Sequence, residues 1–418
     1  MKIRPITSEQ YAVFGQQYDN WNFLNCEKQY QRFLDSKRQA MLLGGFEDGL
    51  LKAAALVVLQ PRAKIYKEAH IPRGFLLDWK DENLIKTFSE ALKQYLSHEH
   101  VLYISMDPYL PMQSMDENGK PIEGQLNYEP SVSFLKQAGW AVHRAEKGND
   151  ESHDVSWMSV LDLRNKSLDE LLKQMSQECR GHIKRVEKFD LVLEQAKTMQ
   201  DLEAFCLLMS HTAQRNGFHA VTDPDYYKRL LDAFGSQAEL ILCWFDVPKF
   251  ISSQQKLYNQ AQADLAASEQ RLSEMPSSKK AASKKKQSLS AMELAELKIQ
   301  EACDLQAKYG DRILLAGSLF LTVGKEMVYL TSGAYSEFMK YNAPYAIHMH
   351  QIEKAVQQNL DFYNFYGISG WFEKGEPGYS LFLFKKGFGS VPVELMGDAV
   401  LPVKPHSFAL FNKMKHVL

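Results

Sequence analysis

A chain of 418 residues is too long for one compact core and is expected to fold as two or three domains. Hydrophobic residues at 45% and charged residues at 24% are ordinary for a globular protein, and a formal net charge of -2 excludes a bulk electrostatic grip on nucleic acid. The five cysteines (Cys26, Cys179, Cys206, Cys243, Cys303) are dispersed and never spaced as CxxC, which argues against a disulfide framework and a structural zinc site.

The first ten residues, Met1 to Gln10, lack the apolar core of a signal peptide, and no run approaches the ~20 apolar residues of a membrane span. A cytoplasmic protein is expected, with peripheral contact at the inner face of the membrane left open. Ala53–Gln60 and Val101–Met106 read as strands, and Leu84–His98 between them carries apolar residues at helical spacing (Leu84, Ile85, Phe88, Leu92, Tyr95). The polar stretch Gly148–Asp154 is the expected join between domains, before a strand over Val155–Leu163 and a helix over Leu168–Glu178. Arg180, His182, Lys184, Arg185 and Lys188 then form a basic cluster. A second round follows: helix Asp201–His211, strand Glu239–Phe245, strands Ile313–Thr322 and Met327–Ser332 about a Gly324-Lys325 turn, helix Ala346–Asn359 and strand Phe362–Tyr366.

Ile251 to about Tyr309 stands apart, nearly free of aromatic residues. Ile251, Gln254, Tyr258, Ala261, Leu265, Ser268, Leu272 and Met275 follow alternating three- and four-residue steps, and Met275-Pro-Ser-Ser278 breaks the helix. Leu289, Met292, Ile299 and Cys303 continue the seam. Two helices of roughly 25 residues are expected, an antiparallel coiled-coil arm about 40 Å long inserted into a sheet that continues across it.

Near the C-terminus an aromatic strand opens into glycines over Asp361–Gly370, and Leu383-Phe-Lys-Lys-Gly-Phe388 is read as a second strand ending on a lysine pair. A lysine at such an opening can hold a cation over a cleft and stabilise developing negative charge. These two segments, with Leu102–Pro111, Ser159–Leu163 and Gly397-Asp-Ala-Val-Leu-Pro402 in the same order, resemble the FemABX family. Its members are non-ribosomal peptidyltransferases that build cell-wall interpeptide bridges from aminoacyl-tRNA.

The resemblance implies two tandem acetyltransferase-like (GNAT) domains of mixed α/β sheets, at 1–153 and at 154–249 plus 311–418, with the arm at 250–310. It implies transfer of glycine, alanine or serine from aminoacyl-tRNA to the stem peptide of lipid II or UDP-MurNAc-pentapeptide. Such an enzyme would work alone, as a homodimer, or as a heterodimer with a related transferase. The ester donor is already activated, so positioning, oxyanion stabilisation and removal of the ammonium proton are the catalytic needs.

By resemblance Lys385 is the leading catalytic residue and Phe384 its neighbour against the terminal adenosine. Asp107, at a strand end, is the second catalytic candidate, for positioning or proton transfer, although an Asp-Pro turn is an ordinary strand cap. Arg215, Tyr329 and Tyr345 match acceptor-site positions. The family's first-helix lysine falls on Phe33 here, with Arg32 or Lys37 as the substitutes at hand. Lys279, Lys280, Lys284, Lys285 and Lys286 at the arm's tip are candidates for tRNA contact.

An acetyl-CoA transferase would need a Gln/Arg-x-x-Gly-x-Gly/Ala pyrophosphate loop, and the nearest approach, Gln214-Arg-Asn-Gly-Phe-His219, fails at its last position. An acyltransferase with another donor and a non-catalytic coiled-coil scaffold are the alternatives. His348 with His350, and His98 with His100, lack a completing ligand in sequence, so no metal and no organic cofactor are expected.

Overall fold

A computed structural model describes residues 1–62, 65–123, 126–148 and 154–415, so most of the expected join at Gly148–Asp154 lies outside the described residues. The first sheet contains β1 (Lys2–Pro5), β2 (Gln39–Glu47), β3 (Leu50–Pro61), β4 (Lys67–Ile71), β5 (Val101–Met106) and β6 (Ala141–His143). The second contains β7 (Trp157–Asp162), β8 (Leu191–Gln195), β9 (Ala238–Asp246), β10 (Arg312–Val323), β11 (Glu326–Ala334), β12 (Phe362–Gly367) and β13 (Val391–Glu394). The last strand, β14 (Asp398–Pro402), returns to the first sheet, giving the orders β1-β2-β3-β4-β5-β14-β6 and β13-β7-β12-β11-β10-β9-β8.

Among the described residues each sheet has one parallel pair, β4 with β5 and β11 with β12, and a parallel pair requires a crossover. Helix Glu82–Ser97 makes the first, burying Ile85, Phe88, Leu92 and Leu96 on one face after an Asp81 cap on Leu84 N–H; helix Ala343–Gln357 makes the second. The mixed α/β architecture, built on two mixed sheets, is thus as expected. One apolar core runs between the units, with Tyr11, Trp21, Leu42, Leu56 and Leu76 against Phe205, Leu208, Leu319 and Val323. That shared core fixes the two sheets relative to each other. Among the described residues no helix is long and apolar enough to cross a membrane.

Several expectations need correction. Leu383–Phe388 is no strand: Tyr379–Gly387 is a helix entered through Gly378 at φ 80, and it turns Phe382 and Lys385, one turn apart, into the core. Its run of Leu and Phe looks strand-like, but tertiary packing of that one stripe decides. The Leu168–Glu178 helix ends at Gln174, where Met175 turns extended and Ser176 caps a second helix, Gln177–Val186. The unit placed at 154–249 plus 311–418 does not keep its C-terminus: β14 pairs with β5 and β6, and Phe408 packs on Tyr103.

The arm is two helices, Val247–Glu274 and Lys279–Tyr309, leaving and re-entering the sheet where Asp246 pairs with Arg312. Its seam in the first helix falls near the expected positions, except that Met275 is exposed. In the second helix Leu289 and Cys303 point outward, and Ala281, Ser288, Ala295 and Ala302 are buried at seven-residue steps. They face Gln254, Ala261 and Ser268, also seven apart, so small side chains rather than leucines set a close approach of the two helices.

Candidate active site

Strand β4 ends at Ile71, and the chain turns through Arg73 and Gly74 before Phe75 enters the core. Arg73 adopts φ 57, a left-handed conformation that costs a branched or bulky residue energy. Gly74, at φ 78, lies so close to Pro108 that an added Cβ would sit 3.1 Å from its Cα. This tight apposition brings Arg73 against Asp107, which follows β5. Asp107 Oδ1 accepts the Arg73 backbone N–H at 3.0 Å, and Oδ2 lies 3.1 Å from Arg73 Nη1. His70 Nε2 stands 3.5 Å from Oδ1. Burial pushes the Asp107 carboxyl up, with Arg73 and His70 opposing it.

Arg73 is 1% exposed and reaches across the seam, donating from Nη1 to the Val155 carbonyl at 3.1 Å. Its guanidinium carbon lies 5.7 Å from the centre of the Tyr109 ring. Tyr109 donates to Glu326 Oε1 at 2.7 Å, and Asn364 of β12 donates to the same oxygen at 2.9 Å and to the Tyr109 hydroxyl at 3.0 Å. Burial pushes the Glu326 carboxyl up. Asn364 Oδ1 in turn accepts the Tyr366 N–H at 2.7 Å, holding Tyr366 at φ 62.

Tyr366 and Gly367 carbonyls accept from Lys385 Nζ at 3.2 and 2.5 Å. Lys385 is 3% exposed, and burial pulls its amine down to about 7. His348 lies beneath, its Nδ1 2.8 Å from the Tyr363 hydroxyl and its ring 5.4 Å from that of Phe384; burial, then the charge of Lys385, bring it down to about 3. Asp107 and Lys385, far apart in sequence, are therefore the two ends of one connected chain, Asp107–Arg73–Tyr109–Asn364–Tyr366–Lys385. Arg73, Tyr109, Glu326, Asn364 and Tyr366 were not legible as site residues. A buried arginine has no sequence signature, and only pairing across the seam reveals it.

The other expected positions spread around this line. Phe384 packs against Tyr345 and Phe388, and Tyr345 stacks on His182 with ring centres 4.6 Å apart. The basic Gln177–Val186 helix thereby sits beside the helix of Lys385, and Ser176 N–H donates to the Gly387 carbonyl at 2.9 Å. Tyr329 lies 4.5 Å from His348, ring to ring, as part of the aromatic packing under Lys385. Arg215 is exposed at the end of helix Met199–Asn216 and donates to the Ala334 carbonyl at 3.3 Å; no contact joins it to Lys385 or Asp107 among the described residues. Lys37 is exposed at φ 57, just past helix Glu27–Asp35. At the arm's tip, Lys284 pairs with Asp264 at 3.1 Å and Lys285 with Glu269 at 2.8 Å, leaving Lys279, Lys280 and Lys286 without an ion pair among the described residues. Lys386 is turned outward, to Asn118 Oδ1 at 2.6 Å.

His70, Asp107 and Asp154 bring ligand atoms within 4.8 Å of one another, a set that could hold a cation. The Arg73 guanidinium already supplies the positive charge at that place, 3.1 Å from Asp107. The donor set does not fit a resident divalent ion competing with a buried arginine.

The model of the FemAB family matches residues 6–416. Aminoacyltransferase FemA of Staphylococcus aureus (strain bovine RF122 / ET3-1) is 25% identical over 418 residues, covering 100% of this chain and 99% of that protein. The same enzyme of Staphylococcus aureus strain MW2 matches to the same extent, 25% over 418 residues. The crystal structure of FemX superposes with a TM-score of 0.83 at 20% identity, covering 98% of this chain and 99% of that one, and so shares the fold.

Proposed function

Because this chain belongs to the FemAB family and is an aminoacyltransferase, we propose that it builds the interpeptide bridge of peptidoglycan. In this reading it moves glycine, alanine or serine from aminoacyl-tRNA to the stem-peptide amine of lipid II or UDP-MurNAc-pentapeptide. One observation carries the reading. Lys385, the one lysine buried among the described residues, lies at the opening of β12 and is tied through the seam to a carboxylate, Asp107. An ester carbonyl attacked by an amine develops an oxyanion, and a pre-placed ammonium in a dry site stabilises it strongly. Asp107 serves the amine, and Phe384, beside Lys385, presents a ring to the end of the donor. Peripheral work at the membrane and pairing with a second transferase are compatible with this chemistry.

The test is transfer of radiolabel from a mixed pool of charged tRNAs to lipid II and, separately, to UDP-MurNAc-pentapeptide. Label on either acceptor supports the reading, and the labelled amino acid names the donor. Folded protein that labels neither unbranched nor once-extended acceptors would sink it.

The tip lysines are proposed to meet the tRNA backbone, and only the three without ion pairs should count. Replacing Lys279, Lys280 and Lys286 together by Gln should weaken tRNA binding and flatten the slope of log affinity against log salt by about 2–3. The Lys284→Gln and Lys285→Gln pair should change the slope by less, because each lysine already faces a carboxylate. Equal slopes for wild type and the triple variant would move the contact elsewhere, first to the basic Gln177–Val186 helix that adjoins Lys385.

A further inference from the structure

Strands β4 and β5 run parallel with His70 opposite Ser105, so Glu68 and His70 on one strand, and Tyr103, Ser105 and Asp107 along the other, share a face. Their polar atoms form a directed line. Arg62 Nε donates to Glu68 Oε2 at 2.5 Å. Ser105 Oγ donates to Glu68 Oε1 at 2.5 Å and stands 3.0 Å from His70 Nδ1. A serine hydroxyl has one hydrogen, and here Glu68 takes it. Ser105 can then only accept from His70, which places the imidazole hydrogen on Nδ1.

The consequence falls on the other nitrogen. His70 Nε2 carries a lone pair and points at Asp107 Oδ1, 3.5 Å away. A lone pair facing a carboxylate oxygen is repulsive until a proton lies between them. We propose that His70 is a positioning residue that makes Asp107 the proton acceptor for the attacking amine, with the proton held between Nε2 and Oδ1. This rests on the aminoacyl-transfer reading above. Arg73 fixes the carboxylate from its other side, through its backbone N–H to Oδ1 and its guanidinium to Oδ2. Among the described residues Asp154 is the remaining charged group at this point, and Arg62 stands behind Glu68.

The step balances. One N–H bond of the acceptor ammonium breaks, and its proton passes to the Asp107–His70 pair. The freed electron pair forms the C–N bond at the ester carbonyl. The C–O bond to the ribose then breaks as its oxygen takes a second proton from the same nitrogen, giving an amide and an alcohol. The proton on the pair leaves to water through His70, whose side chain is 28% exposed.

His70→Gln keeps a donor beside Asp107 and cannot share a proton. It should lower kcat by about 10²-fold and move the acid limb of the kcat–pH profile to higher pH, because His70 opposes the upward push of burial on Asp107, with KM for both substrates changed less than about twofold. Ser105→Ala frees the tautomer and should lower kcat by roughly tenfold, with Ser105→Thr restoring it, since the hydroxyl is kept on a strand. Nitrogen-15 NMR of histidine-labelled protein, assigned with His70→Gln, should show His70 protonated at Nδ1 in the wild type and shifted toward Nε2–H in Ser105→Ala. A wild-type kcat–pH profile in His70→Gln, or an Nε2–H tautomer in the wild type, would overturn the proposal. Absence of transfer by the wild type would sink the functional reading instead, and the tautomer measurement would still decide the relay.

Discussion

Lys385→Met is expected to lower the rate of aminoacyl transfer by about 10²–10³-fold while the protein remains folded. The substitution keeps the length of the stem and removes the ammonium. Burial brings this amine down to about 7, from an ordinary value of 10.5, so the free enzyme loses the charged form as pH rises through neutrality. Rate per free enzyme should therefore decline above about pH 7 in the wild type, and the variant should lack that limb. Stability moves the opposite way. Between about 7 and 10.5 the unfolded chain binds a proton that the folded chain has released, so the lysine's burial penalty is fullest below 7 and fades by 10.5. Lys385→Met should thus be more stable than wild type at pH 6 and no more stable at pH 10.5, read from urea midpoints. An inactive variant whose stability advantage does not shrink with rising pH would contradict the buried-ammonium account.

Arg73→Met should destabilise the fold by about 3–5 kcal/mol, because it leaves Asp107 buried without its partner. Asp107→Asn should cost a similar amount by stranding the guanidinium, which is 1% exposed. The double variant should cost clearly less than the two added together, since it removes both members of the pair. Strict additivity in urea unfolding would mean that the two groups do not act as a pair. Arg73 also ties the units through the Val155 carbonyl, so its loss should lower activity beyond what instability explains, measured at a temperature where the variant is folded.

Much of the fold is written in local pattern. The spacing of Ile85, Phe88 and Leu92 gives the first crossover helix, the aliphatic run of β3 a central strand, and Met275-Pro-Ser-Ser278 the turn of the arm. The site was half legible. Lys385 and Asp107 stand out through the motifs around them, and Asn364 and Tyr366 lie inside the marked segment Asp361–Gly370 without being singled out, whereas Arg73 and His70 sit in segments that local pattern does not mark. His70 in particular reads as one polar residue in a strand, and its role depends on the register that sets it opposite Ser105.

Residues 379–387 show why the rest was out of reach. Leu381, Phe382, Leu383 and Phe384 suit a strand as well as a helix, and helix wins because only that period turns both Phe382 and Lys385 inward. The return of β14 to the first sheet is likewise undetermined by its own residues, since any apolar strand can pair with any free edge until packing chooses one. By itself the sequence determined which segments are helix or strand wherever hydrophobic period is strong, where the arm is inserted, and which lysine to examine first. Only the tertiary structure decided which strands are neighbours, which charges are buried, and that Asp107 and Lys385 belong to one connected site. Period is a property of neighbouring residues, whereas burial and pairing are properties of residues that the chain brings together from far apart.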